Sequence, residues 1–349
     1  MAENVVFNIE VQGGKTVTLP TAGKYVDRNI VITSTGGGGI DTSDATATSG
    51  DLLLGKTAYV NDKKIEGTIE TYDYDTLAIE NPFQKYINNK KDLTLVFSNY
   101  TGDDVDFLDG VDFSNVTSLN QTFSNCTKIG KITYIDSKNV TNMNSAFYNC
   151  NSLTYLNALD CSNATSMQST FYYCTKLKNL TINNTNKVTS MSNMCRGNAN
   201  LERCEGIDTS NVTSFEYIFE GCKKLNYIPK LNTEKVTAFQ YSFQNCWILE
   251  EIDLTHFNIN SSTGSSYAFG YCYKLKKLII RNMTKVPTIN SNTFTSCYHI
   301  LGTVNATYNP EGLKDGFVYV PDDWVETLKS ATNWSKIADQ IKPLSELEE

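Results

Sequence analysis

The sequence predicts an α/β fold: a right-handed solenoid of about eight 24-residue units, one helix and one short parallel strand each, preceded by small β modules. Three observations predict it. An apolar phrase returns at a nearly constant interval, its internal spacing changes from helical to alternating, and one such unit is too small to bury its own apolar face, so neighbours must stack. The hand follows from the rule for parallel crossovers. With 349 residues, 40% hydrophobic and 19% charged, the chain can form a substantial core.

Residues 1–39 predict a β module ending in a glycine linker. Val5 to Val11 alternates, Gly13-Gly14 turns, Thr16–Leu19 and Asn29–Thr33 supply further strands, and Gly36 to Gly39 form a joint. That glycine run lacks the Lys-Ser/Thr of a phosphate loop and the spaced glycines of a dinucleotide site. Residues 40–72 predict a small module with a short helix and a hairpin turning at Asn61-Asp62. Residues 73–112 are expected to cap the first unit, because a solenoid end must not expose bare core.

The units cover 113–302. Their phrase is Asn/Lys-Val-Thr, then Met or an aromatic residue, then Phe-x-x-Cys-x-x-Leu-x-x-Leu. Phe123, Phe147, Phe171, Cys195, Phe219, Phe243, Phe269 and Phe294 form one column, at intervals of 24, 24, 24, 24, 24, 26 and 25. Three residues on stands a thiol column of Cys126, Cys150, Cys174, Cys222, Cys246, Cys272 and Cys297, with Asn198 in the fourth unit. From Val140 to Leu153 the apolar residues fall at offsets 0, 3, 7, 10 and 13, a one-faced stripe that predicts helix, with Asn139, Thr141 and Asn142 as caps. Leu177 to Ile182 alternates and predicts a strand. Residues 303–349 are expected to close the far end with a strand at Phe317–Pro321 and two short helices, Trp324–Ser330 and Trp334–Ile341.

Flanked by Phe and Leu, the ladder cysteines read as small buried hydrophobes with free thiols, since stacked positions lie beyond the reach of a disulfide. Cys161, Cys195 and Cys204 lie off the ladder. The last two share a unit, which leaves a local bridge or a metal pair open, but a metal would need two more ligands. No metal and no cofactor is expected. The Asn-x-Thr sequons headed by Asn115, Asn139, Asn163 and Asn211 arise from the repeat register itself.

In the strand half, the residue two past the ladder leucine points away from the core. That column reads Lys131, Tyr155, Asn179, Arg203, Tyr227, Glu251 and Lys277. It changes at each step while the ladder stays constant, as on a recognition face, although a merely solvated face would drift in the same way. Later units add two aromatic stripes. Tyr217, Tyr241 and Tyr267 project outward on a helix, where their rings suit sugar stacking or protein contact. Trp247, Tyr273 and Tyr298 follow the ladder cysteine and divide between packing and binding.

Several function classes are disfavoured. Only His256 and His299 could serve as general bases near neutral pH, and no nucleophile, metalloprotease or phosphate-loop motif accompanies them, so no enzyme is expected. Asp103-Asp104 and Asp322-Asp323 read as solvated loop charges rather than a glycosidase dyad. A net charge of -8, from 30 basic and 38 acidic residues without a basic block, disfavours nucleic acid as a partner. No run of about 18 apolar residues occurs, and the opening Met1-Ala2-Glu3-Asn4 has neither the basic nor the apolar region of a signal, so no membrane insertion is expected.

The eight Phe-x-x-Cys-x-x-Leu units resemble the BspA-type leucine-rich repeats of bacterial surface antigens and phage tail proteins. The fourth unit departs from the pattern, with Cys195 for Phe, Asn198 for Cys and Cys204 for the last Leu. The resemblance covers more than half the chain and implies a leucine-rich-repeat-like solenoid. The stretch LLLGKTAYVNDKKIEGTI at 52–69 also resembles a module near the front of phage tail-fibre and tail-tip proteins, and VYVPDDWVETLKSATNWSKIADQIKPL at 318–344 resembles the ending of such repeat proteins in phages. Together these imply a non-enzymatic tail-fibre or tail-tip protein in the virion. It would be held to other tail or baseplate proteins through residues 1–72 and would offer the solenoid to a host-surface receptor, glycan or protein. The same resemblance implies a homo-oligomer, a trimer being the tail-fibre form, although no long heptad region joins three chains. The alternatives are a BspA-like adhesin at the bacterial cell surface that binds host protein, and a purely structural virion protein.

Overall fold

The computed structural model describes residues 87, 90–101, 111–259 and 263–348, together with the backbone of four strands at 7–11, 30–34, 57–60 and 63–66. The chain divides into two compact parts, Met1–Ala78 and Ile79–Glu349. In the first, β1 (Phe7–Val11) pairs in parallel with β2 (Ile30–Ser34), and β3 (Thr57–Val60) runs antiparallel to β4 (Lys63–Glu66). Val60 stands opposite Lys63, the register that the expected hairpin requires. The glycine joint, the short helix expected within 40–72 and most of the expected cap lie outside the described residues.

The second part is mixed α/β with parallel strands and few helices. Its strands are β5 (Lys131–Ile132), β6 (Tyr155–Leu156), β7 (Leu159–Asp160), β8 (Asn179–Asn183), β9 (Arg203–Glu205), β10 (Glu251–His256), β11 (Lys277–Asn282), β12 (Phe317–Val320) and β13 (Ile341–Pro343). Every pairing among them is parallel, in the sets β5-β6, β7-β8-β9 and β10-β11-β12-β13. α-Helix is confined to short segments such as Tyr298–Leu301 and Val325–Ser330.

The helix expected in the first half of each repeat does not form. From Leu119 to Cys126 the amides alternate between two destinations. Leu119, Gln121, Phe123 and Asn125 donate to Asn142, Asn144, Ala146 and Tyr148 of the next repeat at 2.7–2.9 Å, while Thr122, Ser124 and Cys126 close turns onto the residue three before at 3.0–3.2 Å. Half the donors that a helix needs are thus spent on the neighbour. Gln121 and Asn125 adopt φ of 52° and 59°, and equivalents such as Ser145 and Asn149 (54° and 56°) do the same, so a left-handed residue interrupts any helix every fourth position. Two consecutive four-residue turns bring residues three, four and seven apart to one side, as a helix does, which is why the spacing alone misled. The expected caps bond backward instead: Asn139 Nδ2 donates to the Ser114 carbonyl at 2.7 Å and Thr141 Oγ1 to the Thr117 carbonyl at 3.0 Å.

The ladder residues are the core. Phe97, Phe123, Phe147 and Phe171 stack at 5.3–5.5 Å, nearly parallel, and Phe219, Phe243, Phe269 and Phe294 stack at 5.4–6.0 Å. The column therefore begins at Phe97, within the region expected as cap. Cys195 separates the two stacks, and the neighbouring Met194 and Ile218 are fully buried there. Each of the seven ladder thiols donates to the carbonyl of the ladder residue one repeat back, at 2.9–3.2 Å. The column thus takes a side chain small enough for the core that still carries a donor. Asn198, in the same place, is buried with neither polar atom of its side chain partnered. At the far end Trp334 is fully buried, donates from Nε1 to the Pro287 carbonyl at 2.8 Å and meets Phe294 edge-on at 6.0 Å, closing the second stack.

Candidate functional site

The strand-face column emerges in register. Lys131 lies opposite Tyr155, Asn179 opposite Arg203, Arg203 opposite Tyr227, and Glu251 opposite Lys277. The next residue along, such as Ile132, Leu156, Leu180, Cys204 and Leu278, is buried, so strand alternation turns the column outward. Tyr155 and Tyr227 are 48% and 41% exposed, and each ring carries a cation: Lys131 Nζ lies 5.7 Å from the Tyr155 centroid and the Arg203 guanidinium 4.1 Å from that of Tyr227. Arg203 is held in place by two hydrogen bonds to Glu205, at 2.9 and 2.7 Å.

The first tyrosine stripe is differently built from the expectation. Tyr217 and Tyr241 stack at 4.6 Å and Tyr241 and Tyr267 at 5.7 Å, from left-handed positions with φ of 57°, 58° and 48°. Ring faces that would stack on a sugar are covered by one another, so edges and hydroxyls remain for a partner. Arg196, which the sequence did not single out, extends the row: its guanidinium lies 4.3 Å from the Tyr217 centroid and 5.7 Å from that of Tyr172, and it pairs with Glu220 at 2.9 Å. Its place just after the ladder column, shared with Tyr148 and Tyr172, was the available signal. Burial raises the Tyr172 and Tyr217 hydroxyls above their ordinary value. In the second stripe Trp247 and Tyr273 lie 5.7 Å apart and Tyr273 and Tyr298 5.0 Å, while Tyr308 of the following loop covers Tyr273 at 4.6 Å and Lys223 sits 4.4 Å above Trp247. This stripe is spent largely on packing.

All ten cysteines are free and buried, Cys195 and Cys204 among them. Burial pushes the thiols up, to about 12 for Cys161 and Cys174. Among the described residues, no group of three His, Cys, Asp or Glu is placed to hold a metal. His299 is buried, with Nδ1 2.5 Å from Asp315 and Nε2 3.0 Å from the Tyr308 carbonyl, so both ring nitrogens serve the C-terminal loop. A polar cleft lined by Asn183, Asn184, Asn186, Gly206 and Asp208 opens beside β8. Gly206 has φ 75°, and a Cβ there would lie 2.2 Å from the Ile182 carbonyl oxygen, so only glycine fits.

Residues 91–203 and 196–306 match the family described as "Mycoplasma protein of unknown function, DUF285". The chain belongs to this family. The DUF285 match begins at residue 91, just ahead of Phe97, and it supports the BspA-type repeat resemblance without extending to a phage assignment. Among solved structures, this DUF285 chain is similar to the pneumococcal vaccine antigen PcpA, at 13% identity and a TM-score of 0.28. That match covers 66% of this chain and 64% of the antigen's, so the DUF285 chain spans less than two thirds of the antigen's length. The comparison with curated proteins found no match.

Proposed function

We propose that this DUF285 chain is a non-enzymatic surface-binding protein of the bacterial adhesin type, a right-handed solenoid of about eight repeats that engages a host protein through its strand face. The observation that carries the reading is the strand-face column. Large aromatic side chains, Tyr155 and Tyr227, stand in water at 48% and 41% exposure, each positioned by a cation, on a backbone ladder whose inward residues hardly vary. Rigid exposed tyrosines beside arginine and lysine favour protein contact at small entropic cost. The family description is bacterial, which favours the adhesin over the tail-fibre reading.

The test uses the full-length chain on immobilised extracellular-matrix protein, with fibronectin as the first probe. Tyr155→Ala with Tyr227→Ala is expected to weaken binding at least about tenfold, as loss of two anchoring aromatics does, while leaving the melting temperature nearly unchanged. Undiminished binding by the double variant would move the site to another face. Adsorption to bacterial cells in place of matrix protein would return the tail-fibre reading.

A further inference from the structure

The lysines of the repeats follow a longer period than the fold. Just past the ladder cysteine position, the first, third, fifth and seventh repeats read Thr127-Lys-Ile-Gly-Lys131, Thr175-Lys-Leu-Lys-Asn179, Lys223-Lys-Leu-Asn-Tyr227 and Tyr273-Lys-Leu-Lys-Lys277. The second, fourth and sixth read Asn151-Ser-Leu-Thr-Tyr155, Ala199-Asn-Leu-Glu-Arg203 and Trp247-Ile-Leu-Glu-Glu251. Every odd repeat carries lysine in this segment and no even one does. Lys128, Lys176, Lys224 and Lys274 occupy one place, and Ser152, Asn200 and Ile248 occupy it between them.

The backbone keeps these segments in step. The amides of Thr154, Glu202, Asn226 and Lys276 donate to the carbonyls of Gly130, Lys178, Glu202 and Glu250, each one repeat back, at 2.7–3.0 Å. Between the second and third repeats Thr175 Oγ1 donates to the Asn151 carbonyl at 3.4 Å, and between the third and fourth Asn200 Nδ2 donates to the Thr175 carbonyl at 2.8 Å. Lys128, Lys176 and Lys224 are exposed and Lys274 is partly exposed. None of the four is ion-paired among the described residues. One step between parallel strands is about 4.8 Å, so the cations recur roughly every 10 Å along the array.

Charge spacing discriminates among polyanions. A nucleic-acid strand in a duplex carries a phosphate about every 3.4 Å, which leaves most of its charge unmatched by such a row. Glu202, Glu250 and Glu251 in the even repeats would repel the surplus. An extended polysaccharide with one uronic carboxylate per disaccharide presents one anion for every two sugars, with an uncharged sugar between. We propose that the lysine row is a binding site for an acidic polysaccharide of this kind, laid along the array. Successive carboxylates pair with Lys128, Lys176, Lys224 and Lys274, and the uncharged sugars lie over Ser152, Asn200 and Ile248. The row borders the strand face but does not depend on protein binding there.

The experiment measures fluorescence anisotropy of labelled hyaluronan fragments, an unsulfated polymer with one carboxylate per disaccharide, against the full-length chain. Saturable binding that weakens with added salt is expected. Replacing the four lysines by alanine should raise Kd about tenfold or more, as the loss of four solvent-exposed charge pairs implies, whereas arginine at the same places should retain binding and controls for folding. Tyr155→Ala with Tyr227→Ala should leave hyaluronan binding unchanged, which separates this site from the protein-binding face. No hyaluronan binding, an unchanged Kd in the alanine variant, or tighter binding of an oligothymidylate strand would each overturn the proposal.

Discussion

Phe147→Ala and Phe171→Ala remove the same side chain from the same column but not the same surroundings. Phe147 lies between Phe123 at 5.3 Å and Phe171 at 5.4 Å, whereas Phe171 has Phe147 on one side and the Cys195 position on the other. Both rings are fully buried. Truncating a buried Phe costs about 3–5 kcal/mol, cavity included. A stacked aromatic pair adds about 0.5–1.5 kcal/mol beyond burial. Phe147→Ala breaks two such pairs and Phe171→Ala one, so Phe147→Ala should be the more damaging by about 0.5–1.5 kcal/mol. Urea unfolding of the full-length chain, followed by tyrosine and tryptophan fluorescence, measures both; midpoints are compared only where the slopes agree, since repeat arrays can depart from two-state behaviour. Equal costs, a larger cost for Phe171→Ala, or a loss below about 1 kcal/mol in either variant would refute the ring-stack account.

Asn198→Cys should stabilise the chain by about 1–3 kcal/mol, because it replaces a buried amide without partners by the thiol that fits this place in seven other repeats; the same urea series reads it, and a lower midpoint would count against the donor role of the thiol column. Burial pushes the Asp315 carboxyl up, but hydrogen bonds from His299 and Lys276 outweigh that and hold it below its ordinary value. A carboxyl depressed in the folded state contributes stability above its unfolded value of about 3.9 and loses it as pH falls through the folded one, so Asp315→Asn should flatten the drop in melting temperature below about pH 4. An acid limb identical to that of the parent chain would argue against this.

Column positions were legible because burial imposes them directly: a residue that must be apolar in every repeat leaves a fixed interval. The strand face was legible for the same reason, since alternation at Leu180, Thr181 and Ile182 leaves little choice of side. Conformation between the columns was not. Helix and paired turns put the same residues inward, and what distinguishes them is the left-handed residue two past the ladder. Asn125, Asn149, Gly197, Gly221 and Asn245, the residue types that tolerate that backbone, recur there as a sign that apolar periodicity ignores. Phe97 escaped because its spacing to Phe123 is 26 and Tyr100 replaces cysteine. The mutual covering of Tyr217 and Tyr241 depends on that same left-handed backbone, so a helical projection could not foresee it.

Amides that cross to the next repeat also govern how such a gene can grow. Each turn hands its donors to carbonyls one full period away, so deletion of a whole 24-residue block leaves the flanking blocks able to join by identical bonds. Removal of any other length inside a turn sets donors against the wrong acceptors. Extra residues are tolerated only between turns, as between Phe243 and Phe269, where the crossing bonds resume from Phe239 to Gly264 with a shift of 25. Duplication in whole modules is therefore the cheap evolutionary step, and the reach of the molecule can change while every joint stays the same.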